Sequence, residues 1–234
     1  MTRIFRFSPL VVRSIGLLAR EFPTFLRLSW FCLAVSLLSL AVSARHPLLG
    51  GIADLMAHGV FATVWMRLVA MGERPLGLAY FRLGRREVFV ALGWMLAETF
   101  VAFPAHVISA SLSMATGLSV DDALMPMLAL AHLLLGVAYL LAAEAALEPG
   151  AGRVGWRLPD LVMKGGMAVS VAVLLAWLPA NLLLEGVLWL PQVDLLDGLT
   201  LADAGAAAVR YLAMAVTGGT LALVWMDLSA GAEG

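Results

Sequence analysis

Six long apolar runs dominate the chain, at about residues 26–44, 49–71, 87–113, 123–146, 165–190 and 204–226. At 1.5 Å per residue each is long enough to cross roughly 30 Å of hydrocarbon. None alternates between apolar and polar positions, as a lipid-facing barrel strand must. In a continuous apolar run, length decides between strand and helix, and these are helix lengths. The pattern predicts an all-α polytopic transmembrane bundle of about six spans, forming one domain over 26–228.

The stretch before the first run reads differently. Leu10, Val11, Val12, Ile15, Leu17 and Leu18 are interspersed with Arg13 and Arg20, too charged a mixture to span. We read 1–25 as an amphipathic segment on the cytoplasmic face, its apolar stripe in the headgroup boundary and its arginines at the anionic surface. The alternative is a simple extension of the first span. The basic stretch Met1 to Arg27, followed by an apolar run and Ala41-Val42-Ser43, looks like a secretory leader. The basic part is too long for one, and more spans follow, so we read a retained first span.

Local signals mark the helix ends. Ser119, Asp121 or Asp122 is expected to cap span four, and Asp203 span six. Pro149 and Gly150 stop span four. Pro104 and Pro179 are expected to kink spans three and five unless neighbours satisfy the freed carbonyls, and Gly165-Gly166 and Gly218-Gly219 offer further points of flexure. Trp94, Trp156, Trp177 and Trp189 include candidate interface anchors, Trp156 and Trp189 most clearly. Val64-Trp65-Met66-Arg67-Leu68 and Val224-Trp225-Met226-Asp227-Leu228 suggest a parallel repeat relating spans one and two to spans five and six.

Charge supplies an orientation. Arg3, Arg6, Arg13, Arg20 and Arg27 precede span one; Arg74, Arg82, Arg85 and Arg86 follow span two; Arg153, Arg157 and Lys164 follow span four. The other connections carry only Arg45 with His46, or aspartates: Asp121 and Asp122, then Asp194, Asp197 and Asp203. Positive charge on every second connection fits six spans with both termini cytoplasmic.

Composition agrees. Hydrophobic residues make up 62% and charged residues 13% of the 234, and mean hydropathy is +0.95. A water-soluble fold of this length could not hide so much apolar surface, so the lipid bilayer is its first partner. The net charge of −1 excludes a strongly basic nucleic-acid binder. The single cysteine, Cys32, forms no internal disulfide. The short connections leave no room for a soluble catalytic domain, and no phosphate-loop, nucleophile-elbow or C-x-x-C pattern occurs, so an enzyme is not expected.

Ionisable residues within spans are costly and draw attention first. Asp54 and His58 share a face of span two at i,i+4, and His106 and His132 lie on spans three and four. Counted from the outer ends, the three imidazoles fall roughly 10–15 Å deep. Glu185 and Arg210 lie in the same half and are placed to pair. These six residues suggest a polar cavity open to the periplasmic side. His58, His106 and His132 suggest in addition a metal or haem site, or a proton relay; the alternative for each is a single interhelical hydrogen bond. In the inner half, Glu98 and Glu144 are candidates to pair with Arg67, against separate interfacial placement. Arg74, Arg82, Arg85 and Arg86 are candidates to contact lipid headgroups or a partner's acidic loop, beyond their orienting role.

Two stretches are familiar together: Arg20-Glu21-Phe22 with Phe25-Leu26-Arg27-Leu28-Ser29-Trp30, and Trp65-Met66-Arg67-Leu68-Val69 with Gly72-Glu73-Arg74-Pro75 and Arg82-Leu83-Gly84-Arg85-Arg86-Glu87. Over roughly the first 90 residues the chain resembles a loose group of alphaproteobacterial inner-membrane proteins without assigned activity. The resemblance implies a bacterial cytoplasmic-membrane location and no functional residues. The sequence reads first as an accessory or assembly subunit of an inner-membrane complex, with other membrane subunits as partners; the alternatives are a small-solute or lipid transporter or channel with a polar site in the periplasmic half, and a metal- or haem-binding membrane protein.

Overall fold

The computed structural model describes residues 5–75, 77, 80–148, 158–188, 193–196 and 199–230. The predicted membrane bundle is what it shows. Among the described residues six helices are long and apolar enough to span: Phe22–Ser43, Pro47–Met71, Arg85–Thr116, Val120–Leu147, Pro159–Val187 and Leu201–Ala230. In chain order the elements are α1 (Ser8–Arg20), α2 (Phe22–Ser43), α3 (Pro47–Met71), α4 (Arg85–Thr116), α5 (Val120–Leu135), a 3-10 turn (Gly136–Tyr139), α6 (Leu140–Leu147), α7 (Leu158–Leu188) and α8 (Leu201–Ala230). A short antiparallel pair, β1 (Asp194–Leu196) and β2 (Leu199–Thr200), precedes α8. An even number of spans brings the two ends of the chain to one end of the bundle. We call this the terminal end and its opposite the far end.

Helix α1 is a separate helix, set off from α2 by a break at Glu21 (φ −97°, ψ 19°), and so not a continuous extension of the first span. Its buried stripe is Phe7, Val11, Ser14 and Leu18. That stripe meets protein, not headgroups: the Ser14 hydroxyl donates to the Val216 carbonyl at 2.9 Å, and Arg6 pairs with Asp227. Helix α1 therefore lies antiparallel against the last span, with Val12 and Ile15 on its exposed side.

The core of the terminal half is aromatic. Phe25 of α2 sits edge-on to Phe61 and Trp65 of α3, with ring centroids 5.7 and 5.9 Å apart. The Trp65 indole donates to the Ala215 carbonyl of α8 at 2.7 Å. Trp225, its counterpart in the suggested repeat, is only partly buried, and its indole nitrogen has no hydrogen-bond partner among the described residues. The two motifs thus share letters but not surroundings.

The expected cap of span four is in place. Ser119 is the N-cap of α5, its hydroxyl accepting from the Asp122 amide at 3.1 Å. Ser119→Ala is expected to cost about 1 kcal/mol, read as a lowered unfolding midpoint in mixed micelles. At α8 the expectation that Asp203 caps needs correcting. Thr200 holds the cap position: its amide and hydroxyl donate to Asp203 Oδ2 at 2.9 and 2.7 Å, and its hydroxyl accepts from the Asp203 amide at 3.2 Å. This is a reciprocal capping box, with Asp203 as the answering acid. The stop expected at Pro149 and Gly150 lies outside the described residues.

Two spans are irregular. The backbone break in α7 is at Gly166 (φ 26°, ψ −114°), while at Pro179 the dihedrals stay helical. Pro104 likewise sits within a continuous α4. Span four is interrupted at mid-depth by the 3-10 turn Gly136–Tyr139. Such an interruption frees backbone N–H groups, which in hydrocarbon must find a partner. The Val137 amide finds Ser170 of α7, donating to its hydroxyl at 3.0 Å. Gly136 permits that approach, since a Cβ there would lie 3.2 Å from Ser170 Cα.

Candidate functional site: a polar cleft among five spans

Helices α3, α4, α7, α8 and the interrupted span four enclose a half-open cleft of about 450 Å³. Its residues cluster in the half of the bundle toward the far end: Asp54 lies two turns into α3, Arg210 nine residues into α8 and Asn181 near the close of α7. Of the six expected cavity residues the cleft gathers four, Asp54, His58, His132 and Arg210. His106 and Glu185 are exposed outside it. His106 Nδ1 bonds its own helix at the Ala102 carbonyl, 2.7 Å away.

On one wall Asp54 Oδ2 lies 3.4 Å from His58 Nδ1. The imidazole stacks on Tyr211 with centroids 5.0 Å apart, and the Tyr211 hydroxyl is hydrogen-bonded to Ser36 of α2 at 2.8 Å. The pair is held from behind by two further helices. Arg210 stands nearby, exposed, within electrostatic reach of Asp54. No carboxylate of the described residues comes within 4.0 Å of it, so the expected Glu185–Arg210 pair does not form.

The opposite wall is aromatic and acidic. The Trp94 indole donates to Glu98 Oε1 at 2.8 Å. Trp94 stands edge-on to Tyr139 at 5.4 Å, and His132 stacks on Trp177 at 4.2 Å. His132 is only 3% exposed; its Nδ1 lies 2.8 Å from the Leu128 carbonyl, and its Nε2 has no partner among the described residues. A carbonyl can only accept, so the Nδ1 contact places the proton there and leaves Nε2 a bare acceptor. Trp94 and Trp177 are thus cleft residues and not interface anchors, while Trp156 and Trp189 lie outside the described residues. Glu98 does not meet Arg67. That arginine pairs bidentately with Glu73 and donates to the Ala146 carbonyl at 3.2 Å.

Sequence reasoning passed over Tyr139 and Asn181. Both had a signal available: Asn181 is the chain's only asparagine, and Tyr139 one of three tyrosines, each within an apolar run. Among the described residues no group of three or more His, Cys, Asp or Glu is arranged to hold a metal ion. With His106 outside the cleft, the three-histidine site does not assemble. In the loop after α3, Arg74 pairs with Glu21 at 2.6 Å, and in the first turn of α4 Arg86 donates to the Glu148 carbonyl at 3.4 Å. Arg82 and Arg85 are exposed. No family model, curated protein or solved structure matches the chain. What can be said beyond a multi-pass membrane protein therefore rests on the geometry of the cleft.

Proposed function

We propose that this chain is a membrane carrier that binds a small polar or amphipathic solute in the cleft, with the far end facing the periplasm. One observation carries the reading: an exposed arginine with no ion partner among the described residues, Arg210, stands within a membrane-spanning chamber that five spans build. An intramembrane charge is expensive and persists where it faces water or a ligand. A chamber of this size, mostly apolar with a few convergent polar groups, suits a small molecule. An assembly subunit needs no such chamber. The break at Gly166 and the turn at Gly136–Tyr139 supply the discontinuous helices on which carriers move.

Cysteine accessibility tests this. In a Cys32→Ala background, Ala213→Cys and Asn181→Cys are expected to react with a membrane-impermeant maleimide from the face that carries Arg45. Thr217→Cys, deeper in the cleft, is expected to react from both faces, as alternating access requires. Silence at Ala213 and Asn181 while an Arg45→Cys control reacts would remove the cleft from water and the reading with it. Reaction of Thr217→Cys from one face alone would reduce the cleft to a blind pit.

A further inference from the structure

Resting on the carrier reading, we infer that the solute is a zwitterion, with a primary ammonium held at Glu98 beside His132 and an acidic group held by Arg210. The two walls of the cleft carry groups of opposite charge, Glu98 and Arg210, neither with an ion partner within 4.0 Å among the described residues. Glu98 has one oxygen fixed by Trp94 and has no cation of the described residues within 4.0 Å. It is exposed, within a wall that also holds Tyr139 and Trp177. A carboxylate beside aromatic rings attracts an ammonium through charge and through the ring faces together.

The histidine narrows the choice of cation. His132 lines the same wall, and its buried Nε2 is an acceptor with no partner among the described residues. It can be satisfied only by a donor, which a primary ammonium brings and a quaternary one lacks. Arg210 supplies the other pole. A guanidinium presents a planar fork of donors that matches the oxygens of a carboxylate or phosphate. Asp54 Oδ2 is turned to His58 Nδ1, 3.4 Å away, and no carboxylate of the described residues lies within 4.0 Å of the Arg210 guanidinium, so its donors are open to a ligand. Glu98 and Arg210 line the same cleft of about 450 Å³, which sets them where one small molecule can touch both.

Calorimetric titration of the purified chain in maltoside micelles tests the assignment. O-phosphoethanolamine and β-alanine carry both charges; ethanolamine and inorganic phosphate carry one each; phosphocholine lacks the N–H donors. The two zwitterions are expected to bind roughly tenfold or more tighter than any of the other three. Arg210→Gln should bring O-phosphoethanolamine down to the level of ethanolamine and leave ethanolamine unchanged. Glu98→Gln should bring it down to the level of phosphate. A dihexanoyl phosphatidylethanolamine arm identifies the source: tighter binding than O-phosphoethanolamine assigns a lipid headgroup, and equal or weaker binding a soluble solute. The inference is overturned if a singly charged probe or phosphocholine binds as tightly as the zwitterions. It is equally overturned if both variants, still monodisperse, leave the ratios unmoved. Absence of binding by all probes, with Ala213→Cys and Asn181→Cys labelled, would defeat the zwitterion and leave the carrier reading standing.

Discussion

Trp65→Ala is expected to lower unfolding stability by about 3–5 kcal/mol. The side chain is fully buried, and its removal leaves a void that helices cannot close. Three elements meet on it. Phe25 of α2 and Phe61 of α3 pack on the ring, and the indole N–H reaches the Ala215 carbonyl of α8. Trp65→Phe keeps most of the ring packing and loses the hydrogen bond, so it should cost less, about 0.5–1.5 kcal/mol for that bond. Denaturation in mixed detergent micelles, followed by fluorescence, reads both. Equal losses in the two variants would mean that the hydrogen bond, and not the packing, carries the site.

The second large effect is expected at Gly59, where α3 and α4 touch. A Cβ there would stand 2.5 Å from Ala91 Cβ and 2.7 Å from the Glu87 carbonyl oxygen. The second of these is backbone, so it cannot swing aside. Gly59→Val should destabilise by about 1–3 kcal/mol, at the upper end because the helices must separate. The displacement also has a functional side. Helix α3 carries Asp54 and His58, and α4 carries Glu98, so spreading the contact shifts one wall of the cleft against the other. Gly16→Ala is the control. Nothing lies within 4 Å of a Cβ at that helical position, and the change should be neutral or stabilising by about 0.5–1 kcal/mol. Thermal unfolding of the three proteins side by side checks the contrast.

How much of this was legible in advance varies with the physics. Span number and position were, because hydrocarbon thickness sets a length that the apolar runs must match. The sequence narrows the cap of α5 to Ser119, Asp121 or Asp122, because a hydroxyl or carboxylate there can accept from the free N–H groups, and Ser119 holds it. Azimuth was not. A depth count put His106 beside His132, yet depth says nothing of which way a side chain faces. On α4 the buried face runs through Trp94, Ala97, Val101 and Ala105. His106 is one residue past Ala105, turned about 100° away. Glu98 escaped its assigned role similarly, since its partner is set by the Trp94 one turn before it and not by the nearest opposite charge in sequence. The interruption at Gly136–Tyr139 was invisible because its compensation comes from Ser170, on another helix, and no local pattern announces a hydrogen bond donated across the bundle.

The docking of α1 on α8 has a consequence in time. Its anchoring contacts join residues from opposite ends of the chain: Arg6 and Asp227 are 221 residues apart. At about 5–20 residues per second, the ribosome supplies the second partner tens of seconds after the first. Throughout that interval the stripe of Phe7, Val11 and Leu18 lacks the surface of α8, the helix it packs on most. Helix α1 is made well before α8 and completes its seat only when that span has arrived.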